Sequence, residues 1–162
     1  MIFLTVGTQL SFDRLIRIMD DIAKDLAEPI FGQIGTDGHQ PQHFDFSADL
    51  DPDRFAELFN AARVVVAHAG IGTILAAQRY EKPLIVLPRS ADLGEHRDDH
   101  QHATCAQLGH LSGLHVVASG PQISGLLVQA DLTAMSAKGP NPARDQLIGH
   151  LRDAILNPTR PI

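Results

Sequence analysis

The chain has 162 residues, which is enough for one ordinary domain and too few for two. Apolar residues make up 44% of the chain and charged residues 20%, as in globular proteins, and with 5% aromatic residues we expect an aliphatic core. The net charge of -6 argues against nucleic-acid binding and against attachment to anionic lipid by charge alone.

Strand and helix patterns alternate from the first residues onward. The first half predicts strands at 2–6, 30–34 and 43–46 and helices at 12–26 and 52–59, with Thr8 or Ser11 capping the first helix and Asp51 the second. The second half predicts strands at 64–67, 84–87 and 115–118 and helices at 71–79, 99–108, 122–129 and 145–156. This alternation is typical of a parallel sheet covered by helices on both faces. We therefore expect one Rossmann-like α/β domain over residues 1–162, with a C-terminal helix at about 143–156.

The compartment is indicated by the cysteine content and the hydropathy. A single cysteine, Cys105, excludes an internal disulfide and is typical of a reducing cytoplasm. No apolar stretch approaches the roughly 20 residues of a membrane-spanning helix. We expect a cytoplasmic protein that reaches a membrane only through another component.

The stretch VVVAHAGIGTILAA, residues 64–77, turns from a buried strand into a helix at two glycines. Glycine at Gly70 and Gly72 allows close approach of the backbone, and the N–H groups of a helix N-terminus favour a bound anion such as phosphate. Thr73 adds a hydroxyl. The alternative is that the glycines serve tight strand–helix packing. His68, at the strand end, is either a structural histidine or a catalytic base.

A polar segment, PRSADLGEHRDDHQ at residues 88–101, follows another predicted strand. In a parallel sheet it lies at the edge where ligands bind. His96 and His100, with Asp99 between them, raise the possibility of a metal site, although no further metal-ligand motif accompanies them. Arg89 and Arg97 belong to the segment and suit a carboxylate, which would favour an acidic ligand. The alternative is a solvated charged loop whose arginines neutralise its acidic residues.

Five segments together resemble the C-terminal domain of glycosyltransferase family 28. They are TVGT, FDRL, VVVAHAGIGTIL, KPLIVLPR and GEHRDDHQ, within residues 2–118. The most similar members by motif are stand-alone subunits, namely the soluble subunit of the two-piece GlcNAc transferase of dolichol-linked glycan synthesis and bacterial counterparts in exopolysaccharide and capsule assembly. The resemblance implies the donor half of a GT-B enzyme, which binds a UDP-sugar without a cofactor or bound metal.

The resemblance also implies roles for individual residues. The positions matching the diphosphate site are Thr8, Gly70, Ile71, Gly72 and Thr73. His100 and Gln101 match the segment that contacts the donor sugar, and we assign Glu95, Arg89 and Arg97 to the same region. Ala76 is a departure, because relatives carry a glutamate there that holds the ribose. Either Gln78, Glu95 or another nearby group makes that contact, or the nucleoside is held less tightly.

The expected function is that of a donor-binding catalytic subunit of a two-component, membrane-associated hexosyl- or glucuronosyltransferase. A membrane-anchored partner would supply the acceptor site for a lipid-linked saccharide, and the last predicted helix packs on its own domain or contacts that partner. The alternatives are a non-catalytic nucleotide-binding regulatory protein and a small metal-dependent hydrolase using His96 and His100.

Overall fold

Six strands form a single open parallel sheet in the computed structural model, which describes residues 1–136. The strands are β1 (Ile2–Thr5), β2 (Ile30–Gln33), β3 (Asp45–Ser47), β4 (Val64–His68), β5 (Leu84–Leu87) and β6 (Leu114–Val116). Their order across the sheet is β3-β2-β1-β4-β5-β6, so β1 and β4 lie at the centre. The central strands are continuous apolar runs because both of their faces are buried.

Helices cover both faces of this sheet, as predicted. They are α1 (Asp13–Ala23), α2 (Pro52–Ala61), α3 (Ile71–Arg79), α4 (His100–Leu108) and α5 (Gly120–Leu127). One apolar core joins α1 and α5 to one face of the sheet, and a second joins α2, α3 and α4 to the other. Two separate cores on opposite faces confirm the Rossmann-like α/β architecture.

The ends of several elements differ from the sequence prediction. Neither Thr8 nor Ser11 caps α1, because the helix begins after Phe12, a core residue whose side chain makes no capping hydrogen bond. Asp51 does cap α2, accepting a hydrogen bond from the Arg54 amide at 2.8 Å. Strand β3 starts two residues later than predicted. The predicted helix at 145–156 lies outside the described residues.

The fold places a crevice between the central strands. After β1 the chain enters α1 on one face, and after β4 it enters α3 on the other. Where connections diverge in this way, the carboxyl ends of the two strands border an open space in which α/β proteins bind ligands. Within residues 1–136, no helix has the length and apolarity to cross a membrane.

Candidate functional site

A cavity of about 530 Å³ occupies this crevice. It is bordered by the loop after β1, the turn after β4, the start of α3 and parts of two other connections, from β3 to α2 and from β5 to α4. The described residues that line it are Thr5, Val6, Gly7, Thr8, Gln9, Leu10, Gln33, Leu50, Pro52, Phe55, His68, Gly70, Gly72, Thr73, Ala76, Arg89, His96 and Gln101.

The first turn of α3 faces the cavity with free backbone donors. The amides of Thr73 and Ile74 donate to the Gly70 carbonyl at 3.1 and 3.2 Å. Those of Ile71 and Gly72 have no acceptor within the helix, because they belong to its first turn. A Cβ atom built on Gly72 would meet no atom within 4 Å, so the space in front of this turn is open.

His68 lies between two glycines of the site. A Cβ on Gly70 would approach His68 Nε2 to 2.3 Å, and one on Gly7 would approach Cε1 to 2.9 Å. The sequence interpretation attributed Gly70 to the approach of a ligand; the structure shows that its missing side chain makes room for the imidazole. Only Gly72 faces open space as that interpretation required.

The imidazole of His68 is held in its neutral form. Burial, and then the positive charge of Arg89, lower the pKa of His68 from 6.5 to about 4, while the Thr5 carbonyl offsets this only in part. Nδ1 is buried and makes no hydrogen bond of normal geometry with residues 1–136. A pKa of about 4 lies well below the near-neutral value that suits a general base at neutral pH.

Arg89 is a buried residue that joins two loops. Its Nη1 donates to the carbonyls of Ser11 and Glu95, and its Nη2 donates to those of Val6 and Leu10 at 3.0 and 2.7 Å. The guanidinium also lies 4.5 Å from the centre of the Phe12 ring. Both terminal nitrogens are therefore occupied by backbone, which contradicts the expectation that Arg89 pairs with a sugar carboxylate.

Glu95 also has a role within the loops. Its carboxylate accepts hydrogen bonds from Arg14 Nε and Nη2 at 2.7 and 2.8 Å and from the Ser90 amide at 2.9 Å. The Arg14 pair and the Ser90 amide keep the pKa of Glu95 below its usual value despite its burial. Among described residues it is not part of the cavity lining, and neither is Gln78, the other alternative for the ribose. Sequence reasoning missed Arg14, which has no local signal because 81 residues separate the pair.

Gln101 lines the cavity and bridges two strand ends. The residue is 3% exposed, and Oε1 accepts hydrogen bonds from the amides of Ala69 and Arg89 at 3.2 and 3.0 Å. This bridge fixes the turn after β4 against the end of β5. The side-chain amide nitrogen makes neither of these bonds.

The remaining predicted sugar residues lie at the rim. Arg97 and His100 are exposed and do not belong to the described cavity lining, whereas His96 does. Ile71 contributes its backbone to the first turn of α3, while its side chain is 57% exposed. The described structure thus places Thr8, Gly70, Gly72, Thr73 and Gln101 around one cavity.

The charged residue in the described cavity lining is a cation although the chain is acidic. Arg89 is the one permanently charged residue among the described lining residues, and no carboxylate is among them. Leu50, Pro52, Phe55 and Ala76 form an apolar wall on the side of α2 and α3. The combination of a positive, amide-lined part and an apolar part suits a ligand with an anionic and a flat apolar portion.

The pKa of His68 makes the stability of the fold dependent on pH. Between pH 6.5 and about 4, His68 binds a proton in the unfolded chain but not in the native protein. The free energy of unfolding therefore falls as the pH falls through this window. We expect the wild type to lose more unfolding free energy between pH 7 and 4 than His68→Gln. Denaturant unfolding at each pH measures the difference, and equal losses in both proteins would contradict the assigned burial.

Arg89 is expected to stabilise the native state through its four carbonyl partners. Arg89→Met leaves these acceptors without their donor, which should lower the free energy of unfolding by about 3 kcal/mol. Arg97→Met is the matched control, because Arg97 is exposed, and should change stability by less than about 0.5 kcal/mol. Chemical denaturation of the two variants tests this; similar losses would refute the bridging role.

The comparisons with known proteins agree with this architecture. Three solved structures share the fold: the glycotransferase of kitacinnamycin (17% identity, TM-score 0.61), MurG from Acinetobacter baumannii (18%, 0.55) and ALG13 (18%, 0.56). Alignments cover 93%, 77% and 90% of this chain and 38%, 39% and 93% of the respective structures. The chain thus spans well under half of the first two and nearly all of ALG13.

The family is shown by sequence. No curated protein matches the chain. The profile of the glycosyltransferase family 28 C-terminal domain, however, matches residues 1–133, which include every strand and helix described here. The chain therefore belongs to the glycosyltransferase family 28 C-terminal domain family.

Proposed function

We propose that the cavity binds the nucleotide-sugar donor of a glycosyltransferase, with UDP as the nucleotide. The observation that carries the proposal is the first turn of α3. Two of its amides have no helical acceptor, and a Cβ on Gly72 would meet open space. Gly72 and Thr73 share the cavity lining with the buried Arg89, and the described lining includes no carboxylate. Backbone amides at a helix N-terminus are suited to a diphosphate.

The diphosphate would contact the amides of Ile71 and Gly72, with the hydroxyls of Thr8 and Thr73 alongside. These groups supply hydrogen-bond donors, and no bound metal ion is required for this contact. Arg89 adds positive charge from beneath the cavity surface without leaving its carbonyl partners. The buried charge interacts with an anion more strongly than an exposed one would, because water screens it less.

The nucleoside would lie against the apolar wall formed by Leu50, Pro52, Phe55 and Ala76. Ala76 lines the cavity at the position where, by the family resemblance, a glutamate holds the ribose. Since neither Gln78 nor Glu95 is part of the described lining, we propose that apolar packing replaces this contact. Packing is less selective than paired hydrogen bonds, so we expect this chain to discriminate among nucleotides less strongly than a protein with glutamate at this position.

The donor sugar would contact Gln101 and the rim that carries His96 and His100. The side-chain nitrogen of Gln101 makes neither bond of the bridge and can donate to a sugar hydroxyl. Both hexosyl and glucuronosyl donors fit this chemistry. Because both terminal nitrogens of Arg89 donate to backbone carbonyls, Arg97 is the arginine that would pair with the carboxylate of an acidic donor sugar.

A diphosphate next to His68 would raise the pKa of its imidazole, because the negative charge favours the protonated form. Any acid–base role of His68 therefore depends on bound donor.

A partner is proposed to supply the acceptor site. The chain spans 38% and 39% of two larger structures with this fold but 93% of ALG13. Apolar side chains are also exposed at the mouth of the cavity, where Leu10 lines it and Ile71 begins α3. We propose that a membrane-anchored subunit covers this mouth and presents a lipid-linked saccharide, in exopolysaccharide or capsule synthesis at the cytoplasmic face of the membrane.

Gly72→Val tests the diphosphate assignment. The valine side chain would project into the open space before the first turn of α3 and should reduce UDP affinity at least tenfold in a folded protein. Gly125→Val is the matched control, because Gly125 also lies in a helix with open space around it, but in α5. Calorimetric titration with UDP and without metal measures both; unchanged affinity in Gly72→Val would refute the assignment.

Partner dependence is tested by turnover. Purified chain with a UDP-sugar and a lipid-linked acceptor should show no transfer, and membranes containing the partner should restore it, since one Rossmann-like domain forms only one side of a cleft between two domains. Transfer by the isolated chain would refute the two-component proposal. UDP binding with no transfer under either condition would favour a regulatory nucleotide-binding protein.

A further inference from the structure

Three metal-ligating side chains converge at the rim, in the segment between β5 and α4. His96, Asp98 and His100 each offer one ligand atom, and these atoms all lie within 4.8 Å of one another. Nδ1 of His96 lies 3.3 Å from Asp98 Oδ1, and Nδ1 of His100 makes a close contact with the same oxygen. The two imidazole rings meet edge to face, with their centres 4.4 Å apart.

We propose that His96, Asp98 and His100 bind one divalent transition-metal ion of the Zn²⁺ type. Two imidazole nitrogens and one carboxylate oxygen form a ligand set that Zn²⁺ accepts, whereas Mg²⁺ prefers oxygen ligands alone. Both imidazoles already turn the same nitrogen toward one point. An ion bound there would replace the contacts between these nitrogens and Asp98 by bonds to all three side chains, and water would complete its coordination.

The carboxylate of this site differs from the one that the sequence suggested. Spacing pointed to Asp99, but Asp99 Oδ1 accepts a hydrogen bond from the Ala91 amide at 2.9 Å, and Asp99 is not in the cluster. The side chain of Asp98 is 65% exposed, and its Oδ1, which accepts a hydrogen bond from the His100 amide at 3.2 Å, also contacts both imidazoles. Solvent reaches Asp98 and His100, so an ion can enter and retain water ligands.

The ion would connect the rim to the cavity. His96 lines the cavity, and His100 is the first residue of α4, directly before the bridging Gln101. A metal bond between loop and helix would therefore fix the segment that borders the donor site. The proposed diphosphate contacts need no metal. The metal site therefore goes beyond the proposed function, and it is tested without nucleotide.

Calorimetric titration of the full chain with ZnCl₂, after treatment with chelator, is the first measurement. We expect one Zn²⁺ per chain and no heat of binding with MgCl₂. His100→Gln and Asp98→Asn remove one ligand each and should weaken Zn²⁺ binding by roughly tenfold or more. His102→Gln is the matched control, since His102 is also exposed and lies in the same helix but outside the cluster, and it should bind as the wild type does.

Cobalt supplies a second measurement that reports the ligand geometry. Co²⁺ added to the wild type should give visible absorption bands of a low-coordinate site with nitrogen ligands, and His96→Gln should lose them while its thermal unfolding stays cooperative. The chain has nine histidines, so Zn²⁺ can also bind elsewhere. Equal Zn²⁺ affinity in the wild type, His100→Gln and Asp98→Asn would place the ion at other histidines and overturn the proposal, as would the absence of Zn²⁺ binding.

Discussion

The burial of the Arg89 guanidinium is the constraint on which the site depends. A buried charged group is tolerated only when its donors are paired, and here they are paired with carbonyls of the loop after β1 and of the segment after β5. The same residue therefore joins two borders of the cavity and is the permanently charged residue of its described lining. A substitution at Arg89 is thus expected to alter the stability of these loops and the charge of the cavity together.

The two glycines after β4 act through different physical effects. Gly70 leaves room for the His68 ring, which also excludes a side chain at Gly7. Gly72 leaves the first turn of α3 open to the cavity. The first glycine makes room for a neutral imidazole, whereas the second borders open space at the cavity. Arg89 and Gln101 hold the surrounding loops together through hydrogen bonds to backbone carbonyls and amides. If the proposed ligand binds here, the hydrogen-bond donors of the turn are already in position, which lowers the entropy cost of binding.

The fold was predictable because buried parallel strands and amphipathic helices have strong local patterns. Strand β3 was misplaced by two residues since it is a short, partly exposed edge strand with little apolar signal. The turn between β4 and α3 was also predictable as a strand-to-helix junction, because its glycines and helix are adjacent in sequence. The role of Arg89 was not, since nothing local shows that carbonyls from residues 6, 10 and 11 would surround its guanidinium. The pair between Arg14 and Glu95 was not predictable either, because the two residues meet only in the folded chain.

The chain is acidic, yet no carboxylate belongs to the described lining of the cavity. Glu95 is paired with Arg14, Glu28 with Arg63 and the N-terminal amine, and Asp20 accepts hydrogen bonds from the amides of Gln42 and His43. Each pairing keeps the pKa of its carboxylate below the usual value. Each carboxylate is thus ionised at neutral pH. The charges of Glu95 and Glu28 are balanced by their cationic partners, whereas that of Asp20 is stabilised by amide donors. The net charge of -6 is therefore not the charge of the described cavity lining, in which Arg89 is the permanently charged residue.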